Sequence, residues 1–185
     1  RFFDVLVGYF RASGFHLLCH SLQDIEKIRI LVGLNVDEQI FSASQDAMLS
    51  LPGNLLSHQE ARNLYSRQLV QEIETAEETQ TTEESVRIFM QWLQQGKLEL
   101  RGHPSRNIHA KVYISRYRGN LLYGSVITGS SNFSASGLMA QCEFNVELKD
   151  RPDVDFALER FEKLWQEGIA LTDIFVSTVQ QKTWL

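Results

Sequence analysis

Three short runs of this sequence carry side chains able to do chemistry. His109-Ala110-Lys111 lies in a stretch that reads as a strand. Alternate side chains of a strand share a face, so His109 and Lys111 would stand together, roughly 7 Å apart at the backbone. An imidazole there can attack or move a proton while the neighbouring ammonium holds negative charge. Gly129-Ser130-Ser131-Asn132 directly follows an apolar strand. It gathers backbone N–H groups, a hydroxyl and an amide near one point, a set that can bind an anionic oxygen without a metal. His16 and His20 are four residues apart on a short predicted helix with Cys19 between them, the spacing of a metal pair. Each run also fits plain structure. His-x-Lys suits a half-exposed strand, Gly-Ser-Ser-Asn suits a turn capping the segment Ser134 to Met139, and Phe15, Leu17, Leu18 and Leu22 make the His16 helix core-like. Cys142 reads as a small apolar residue.

The elements that must hold these runs follow from hydrophobic period. Phe2 to Phe10 and Lys27 to Leu34 are nearly continuous apolar runs, as expected of strands covered on both faces. Ala12 to Leu22 reads as a short helix. Ser57-x-x-Glu60 opens a predicted helix to about residue 76, and Thr81-x-x-Glu84 caps another. Val86, Phe89, Met90 and Leu93 form the apolar stripe of that second helix, and Gly96 is placed to end it. Strands are then predicted over Leu98 to Arg101, Ala110 to Ser115, Ser125 to Gly129 and Glu143 to Leu148, with a turn at Arg118-Gly119-Asn120. Val154, Ala157, Leu158, Phe161, Leu164 and Trp165 give a helical stripe, and the tail from Leu171 to Leu185 a last helix. Strands alternating with helices, then clustering, predict an α/β domain: a mixed, mostly parallel sheet with helices on both faces.

The chain has 185 residues, with 43% hydrophobic and 22% charged, the balance of one globular domain. Two cysteines cannot build a disulfide framework, which favours a reducing, cytoplasmic setting. No apolar run is long enough to span a membrane. The start, Arg1-Phe2-Phe3, lacks the pattern of a signal peptide and reads as the cut end of a longer protein. No Gly-x-x-x-x-Gly-Lys motif is present, so these residues are not themselves an ATPase. The net charge of −5 argues against a polyanion until it is divided along the chain. Residues 71–84 hold six Glu and no base; without them the remainder carries +1. Residues 101–118 hold Arg101, Arg106, Lys111, Arg116 and Arg118 and no acid, a local field that attracts phosphate, though a solvated basic loop looks the same.

Taken together, His109-x-Lys111 followed by Gly129-Ser130-x-Asn132 resembles the signature of the phospholipase D superfamily. Phe133-Ser134, Gly137-Leu138 and Glu143 extend the match. Asp4 to Phe10 and Lys27 to Leu34 resemble the phospholipase D-like domains at the N-terminus of helicases. The resemblance departs in two places. The family has an Asp five residues after the Lys, where this chain has Arg116, and Gly129 lies 20 residues after His109, farther than in the compact motif. Nucleases of the family that lack this Asp keep a His, Lys, Asn and later Glu, a set that His109, Lys111, Asn132 and Glu143 fit.

The resemblance implies a phospholipase D-like fold and a phosphodiesterase working in two steps without a cofactor or metal. His109 would attack phosphorus to give a phosphohistidine, and a second histidine would protonate the leaving oxygen and then activate water. Lys111 and Asn132, helped by Ser130, would hold the non-bridging oxygens. Glu143 would accept from the far nitrogen of His109. The family site uses two His-x-Lys motifs and this chain has one, since His103-Pro104-Ser105 is not a copy. The expectation is therefore a two-fold homodimer with the site across its interface and residues 119–142 near it. Nucleic acid, DNA before RNA, is the expected substrate, with Arg101, Arg106, Arg116 and Arg118 along its path, no membrane partner, and a helicase region in the same polypeptide. The alternative is an inactive phosphate- or DNA-binding module that places DNA for a helicase.

Overall fold

In a computed structural model, the described residues are 1–8, 10–33, 80–103, 108–117 and 123–173, with positions 63, 67 and 176. Seven strands form one sheet: β1 (Phe2–Val7), β2 (Lys27–Gly33), β3 (Leu98–His103), β4 (Lys111–Arg116), β5 (Gly124–Gly129), β6 (Asn145–Leu148) and β7 (Ile169–Ala170). Their order is β6-β5-β4-β1-β2-β3-β7. β1 pairs parallel with β2, and β2 with β3. The pairings β1–β4, β4–β5, β5–β6 and β3–β7 are antiparallel. The sheet is mixed, as the sequence predicts, but its parallel part is confined to three strands, so "mostly parallel" is corrected. A parallel neighbour needs a long crossover, and after β3 the strands β4, β5 and β6 join antiparallel to β1, β4 and β5 instead.

Both faces are covered. Val5, Val7, Ile28, Ile30, Val32, Leu98 and Leu100 pack with Phe15 of α1 (Ala12–Leu18) and Phe89, Trp92 and Leu93 of α2 (Gln80–Gln94). Leu6, Leu31, Ile114 and Val126 pack with Val154, Phe161 and Trp165 of α3 (Arg151–Glu167). Strands buried on both sides need apolar residues of both parities, which is why β1 and β2 read as unbroken apolar runs. Gly96, at φ +68°, follows α2, a left-handed residue where glycine is least costly.

Two elements start later than expected: β4 at Lys111 and β6 at Asn145. The residues before them, 108–110 and 142–144, are irregular and carry His109 and Glu143. The strand β7 was not foreseen; two residues long, it exists only because Arg101 and Gly102 pair with it. The helix from Ser57, the turn at Arg118 and most of the tail lie outside the described residues.

Candidate active site

The motif residues arrive at one edge of the sheet. β4 and β5 are antiparallel, with Val112 opposite Thr128, so the start of β4 lies beside the end of β5. Phe133 bridges Phe10, just past the end of β1, and Arg11 N donates to the Phe133 carbonyl at 2.9 Å. Segment 108–110 crosses the ends of β1 and β2, where Gly8 N donates to the Ala110 carbonyl at 3.0 Å. Glycine is required there: a Cβ on Gly33 would sit 2.7 Å from the Ile108 carbonyl oxygen.

His109 is exposed while Lys111 is buried. Lys111 Nζ lies 3.2 Å from Nδ1 and 3.1 Å from Nε2 of His109, and donates to the His109 carbonyl at 3.0 Å. Being equally near both ring nitrogens, the ammonium lies against the face of the imidazole, and among the described residues no other side chain bonds either nitrogen. Burial lowers the Lys111 pKa from its ordinary value, and the nearby charge of Glu143 opposes the shift. Burial likewise pushes the Tyr113 phenol up, and Glu143 adds to it. The carboxylate of Glu143 therefore sits close enough to Lys111 and Tyr113 to be felt by both. Among the described residues it makes no hydrogen bond to His109. The orienting contact implied for that pair is absent from this arrangement.

Asn132 is placed by its backbone. Ser134 N donates to its carbonyl at 2.8 Å, and Gly137 lies so near that a Cβ would meet the Asn132 oxygen at 2.7 Å and nitrogen at 3.0 Å. Its side-chain Oδ1 is buried with no hydrogen-bond partner. An unpaired buried amide costs about 1–3 kcal/mol, which a ligand that pairs with it would recover. Ser130 is differently engaged: its hydroxyl accepts from Phe144 N at 2.9 Å, tying β5 to the segment before β6. The motif glycine, Gly129, has its own reason. A Cβ there would press on the Phe144 carbonyl and lie 2.7 Å from Asn145 Cα.

Of the four arginines expected along a nucleic-acid path, the two that are described, Arg101 and Arg116, are spent on the fold. Arg116 donates from Nε at 2.9 Å and Nη2 at 2.7 Å to Asp4, which is 1% exposed, and stacks on Phe2. Asp4 also accepts from Arg29 Nε at 2.6 Å, and Arg29 Nη2 reaches Glu162 at 2.6 Å. This ladder holds β4, β1, β2 and α3 together. Arg101 donates to the Trp165 carbonyl at 2.8 Å and covers its ring. Arg106 and Arg118 lie outside the described residues. His16 Nδ1 is 2.6 Å from Ser85 Oγ, His20 bonds Gln23, and His103 faces Glu167 at 3.3 Å, so these histidines have structural partners.

Sequence reasoning missed Asn145. Its amide bonds Ser131 twice, Nδ2 donating to Oγ at 2.7 Å and Oδ1 accepting from N at 3.4 Å. No local signal marked it, because Glu143 and Phe144 are irregular and strand alternation begins only at Asn145.

Comparison with known proteins bears on the family and the fold. The sequence model described as "Cardiolipin synthase, PLD-like domain" matches residues 23–165. Comparison with curated proteins finds no match. Among solved structures, the chain resembles the phospholipase D family member Nuc of Salmonella typhimurium, at 14% identity over 91% of this chain and 80% of that one, TM-score 0.46. It also resembles the phosphatidylserine synthase of Haemophilus influenzae, at 13% identity over 98% of this chain, TM-score 0.51. The chain spans 39% of that synthase, and at such identity the likeness concerns the fold alone. With the family match covering most of its length, the chain belongs to the phospholipase D-like domains of the phosphodiesterase superfamily.

Proposed function

We propose that the chain is a phosphodiesterase that cleaves nucleic acid through a phosphohistidine at His109, needing no metal, as one domain of a helicase-type protein. The carrying observation is the pairing of an exposed imidazole with a buried ammonium at the sheet edge where the unpaired Asn132 amide also lies. His109 supplies the attacking nitrogen. Lys111 and Asn132 receive the non-bridging oxygens as charge builds on them. A negative phosphoryl group beside Lys111 restores the stabilisation that burial takes from its ammonium. The basic run supports a polyanion less than the sequence alone suggests, because Arg101 and Arg116 are internally paired. Arg106, three residues before His109, keeps DNA the first substrate to test.

The leaving oxygen needs a proton from a second acid. Among the described residues the other histidines, His16, His20 and His103, have partners of their own, and His58 lies outside them; this supports a symmetric dimer whose other subunit brings its own His109. Edge strand β6 is exposed along its length, Phe144 just before it is 78% exposed, and Met139 in the segment joining β5 to β6 is 77% exposed. A second copy fits there. The test is cleavage of plasmid and single-stranded DNA in excess EDTA, with His109→Ala beside the wild type and sedimentation run in parallel. A dimer that cuts, loses cutting with His109→Ala and yields an alkali-stable, acid-labile adduct of one DNA end with the histidine supports the proposal. A monomer, or cutting that survives His109→Ala, refutes it. The missing hydrogen bond between Glu143 and His109 favours a second reading, a module that binds phosphate or DNA without turnover; binding by both proteins with no cleavage by either selects it.

A further inference from the structure

We propose that Asn145 and Tyr113 are positioning residues that fix Ser131 and, through it, aim the Asn132 carboxamide at the phosphoryl group. The inference deepens the phosphodiesterase reading and rests on it.

Ser131 precedes Asn132, and all its polar groups are engaged. Its hydroxyl and N–H are held by the Asn145 amide, at 2.7 Å and 3.4 Å. Its carbonyl accepts a buried bond from the Tyr113 hydroxyl at 2.7 Å. Tyr113 lies on β4 and Asn145 on β6, the two neighbours of β5. The turn leaving β5 is thus stapled to the strand on either side. On its far side, Gly137 packs against the Asn132 backbone. The Asn132 carboxamide makes no hydrogen bond among the described residues, and its Oδ1 is buried. Among the described residues nothing grips the amide itself. Its aim is inherited from its backbone, and that backbone is set by the three bonds to Ser131. Because Tyr113 shares a strand face with Lys111, the staple also fixes the distance between the two groups that would share the phosphate. Errors of about 1 Å in such a distance cost on the order of 100-fold in rate.

The substitutions are Asn145→Ala, Asn145→Asp and Tyr113→Phe. Asp keeps the clamp, since its carboxylate accepts from both the Ser131 N–H and O–H. The substrate is bis(p-nitrophenyl) phosphate, a diester that does not depend on nucleic-acid recognition. Tungstate affinity is measured on the same proteins. Asn145→Ala should lower kcat and kcat/KM together by about 10–100-fold with KM nearly constant, the mark of a contact made in the transition state. Tyr113→Phe should do the same to a smaller degree, and Asn145→Asp should restore most of kcat. In an Asn132→Ala background, Asn145→Ala should cost nothing more.

Turnover by Asn145→Ala at the wild-type level overturns the proposal, as does an equal further loss in the Asn132→Ala background. If the wild type binds tungstate without turnover, the same pattern is read in the tungstate affinity. Wild-type protein that neither hydrolyses the diester nor binds tungstate overturns both this proposal and the reading beneath it.

Discussion

Putting the family acid back at position 116 should damage this protein. Arg116 grips Asp4 with two bonds, at 2.9 Å and 2.7 Å, while Asp4 keeps a third bond to Arg29 at 2.6 Å. Arg116→Asp removes one of the two cations that neutralise a carboxylate only 1% exposed. Stripping a buried charge of its partner costs about 3–5 kcal/mol. Arg116 is 25% exposed and Arg29 remains, so a share of about 1–2 kcal/mol is expected. The new carboxylate then faces Asp4. Position 116 pairs with Phe2, and Asp4 is its diagonal neighbour across β1, roughly 7 Å away. At an effective dielectric constant near 20, two like charges at that distance repel by about 2 kcal/mol. The total, about 3–4 kcal/mol, should lower the melting temperature by roughly 6–16 °C in a chain this long. Thermal denaturation of wild type, Arg116→Asp and Arg116→Met measures it. Arg116→Met should fall between the other two, because it loses the pair without adding repulsion. Adding Asp4→Asn to Arg116→Asp should recover the repulsive part. An Arg116→Asp protein as stable as wild type, and more active per folded molecule, would show that the ladder is incidental and that the site wants an acid there.

Gly129→Ala should destabilise by roughly 1–3 kcal/mol, because its Cβ would press on the backbone of Phe144 and Asn145; it should also cost activity beyond the unfolded fraction, since that backbone carries Glu143, and intact turnover in the folded protein would contradict this. Lys111→Met should change the pH profile of stability with a defined sign. The folded Lys111 pKa lies below 10.5, so between the two values the unfolded chain binds more protons, and wild type should gain stability relative to Lys111→Met as pH rises toward 10.5; denaturant titrations showing the reverse slope would refute the burial of the ammonium. Phe144→Asp, placed on the exposed apolar rim, should yield a monomer by sedimentation and abolish turnover while each subunit still binds tungstate; a monomer that still turns over would sink the shared site.

Sequence reading recovered what depends on neighbours along the chain. The apolar period located β1, β2 and α3, and the glycine after α2 is where the stripe of Val86 to Leu93 ends. It failed where a partner is remote. Arg116 and Asp4 are 112 residues apart and Arg101 and Trp165 are 64 apart. No local pattern distinguishes an arginine destined for a buried carboxylate from one destined for a phosphate. The same limit hid the Asn145 clamp, whose partner lies 14 residues away on another strand. Glu143 was found through the resemblance alone, and its lack of a bond to His109 depends on a backbone that enters β6 two residues later than alternation implies.

The antiparallel half of the sheet, rather than its parallel half, is what assembles the site. In an all-parallel sheet the start of one strand and the end of the next lie at opposite edges, and His109 and Asn132 would be separated by the length of β4. Because β4 runs against β1 and β5 runs against β4, the start of β4, the end of β5 and the approach to β6 meet at one edge. Those three points carry His109 with Lys111, Asn132, and Glu143. The ends of the parallel strands β1 and β2 contribute mainly space: Gly8 and Gly33 let segment 108–110 cross them. The ladder of Arg116, Asp4, Arg29 and Glu162 lies on the α3 face, while Tyr113 packs with α1 and α2 on the other. The residue that departs from the family pattern therefore stabilises the strand from behind, on the face opposite the one that presents Lys111 and Tyr113.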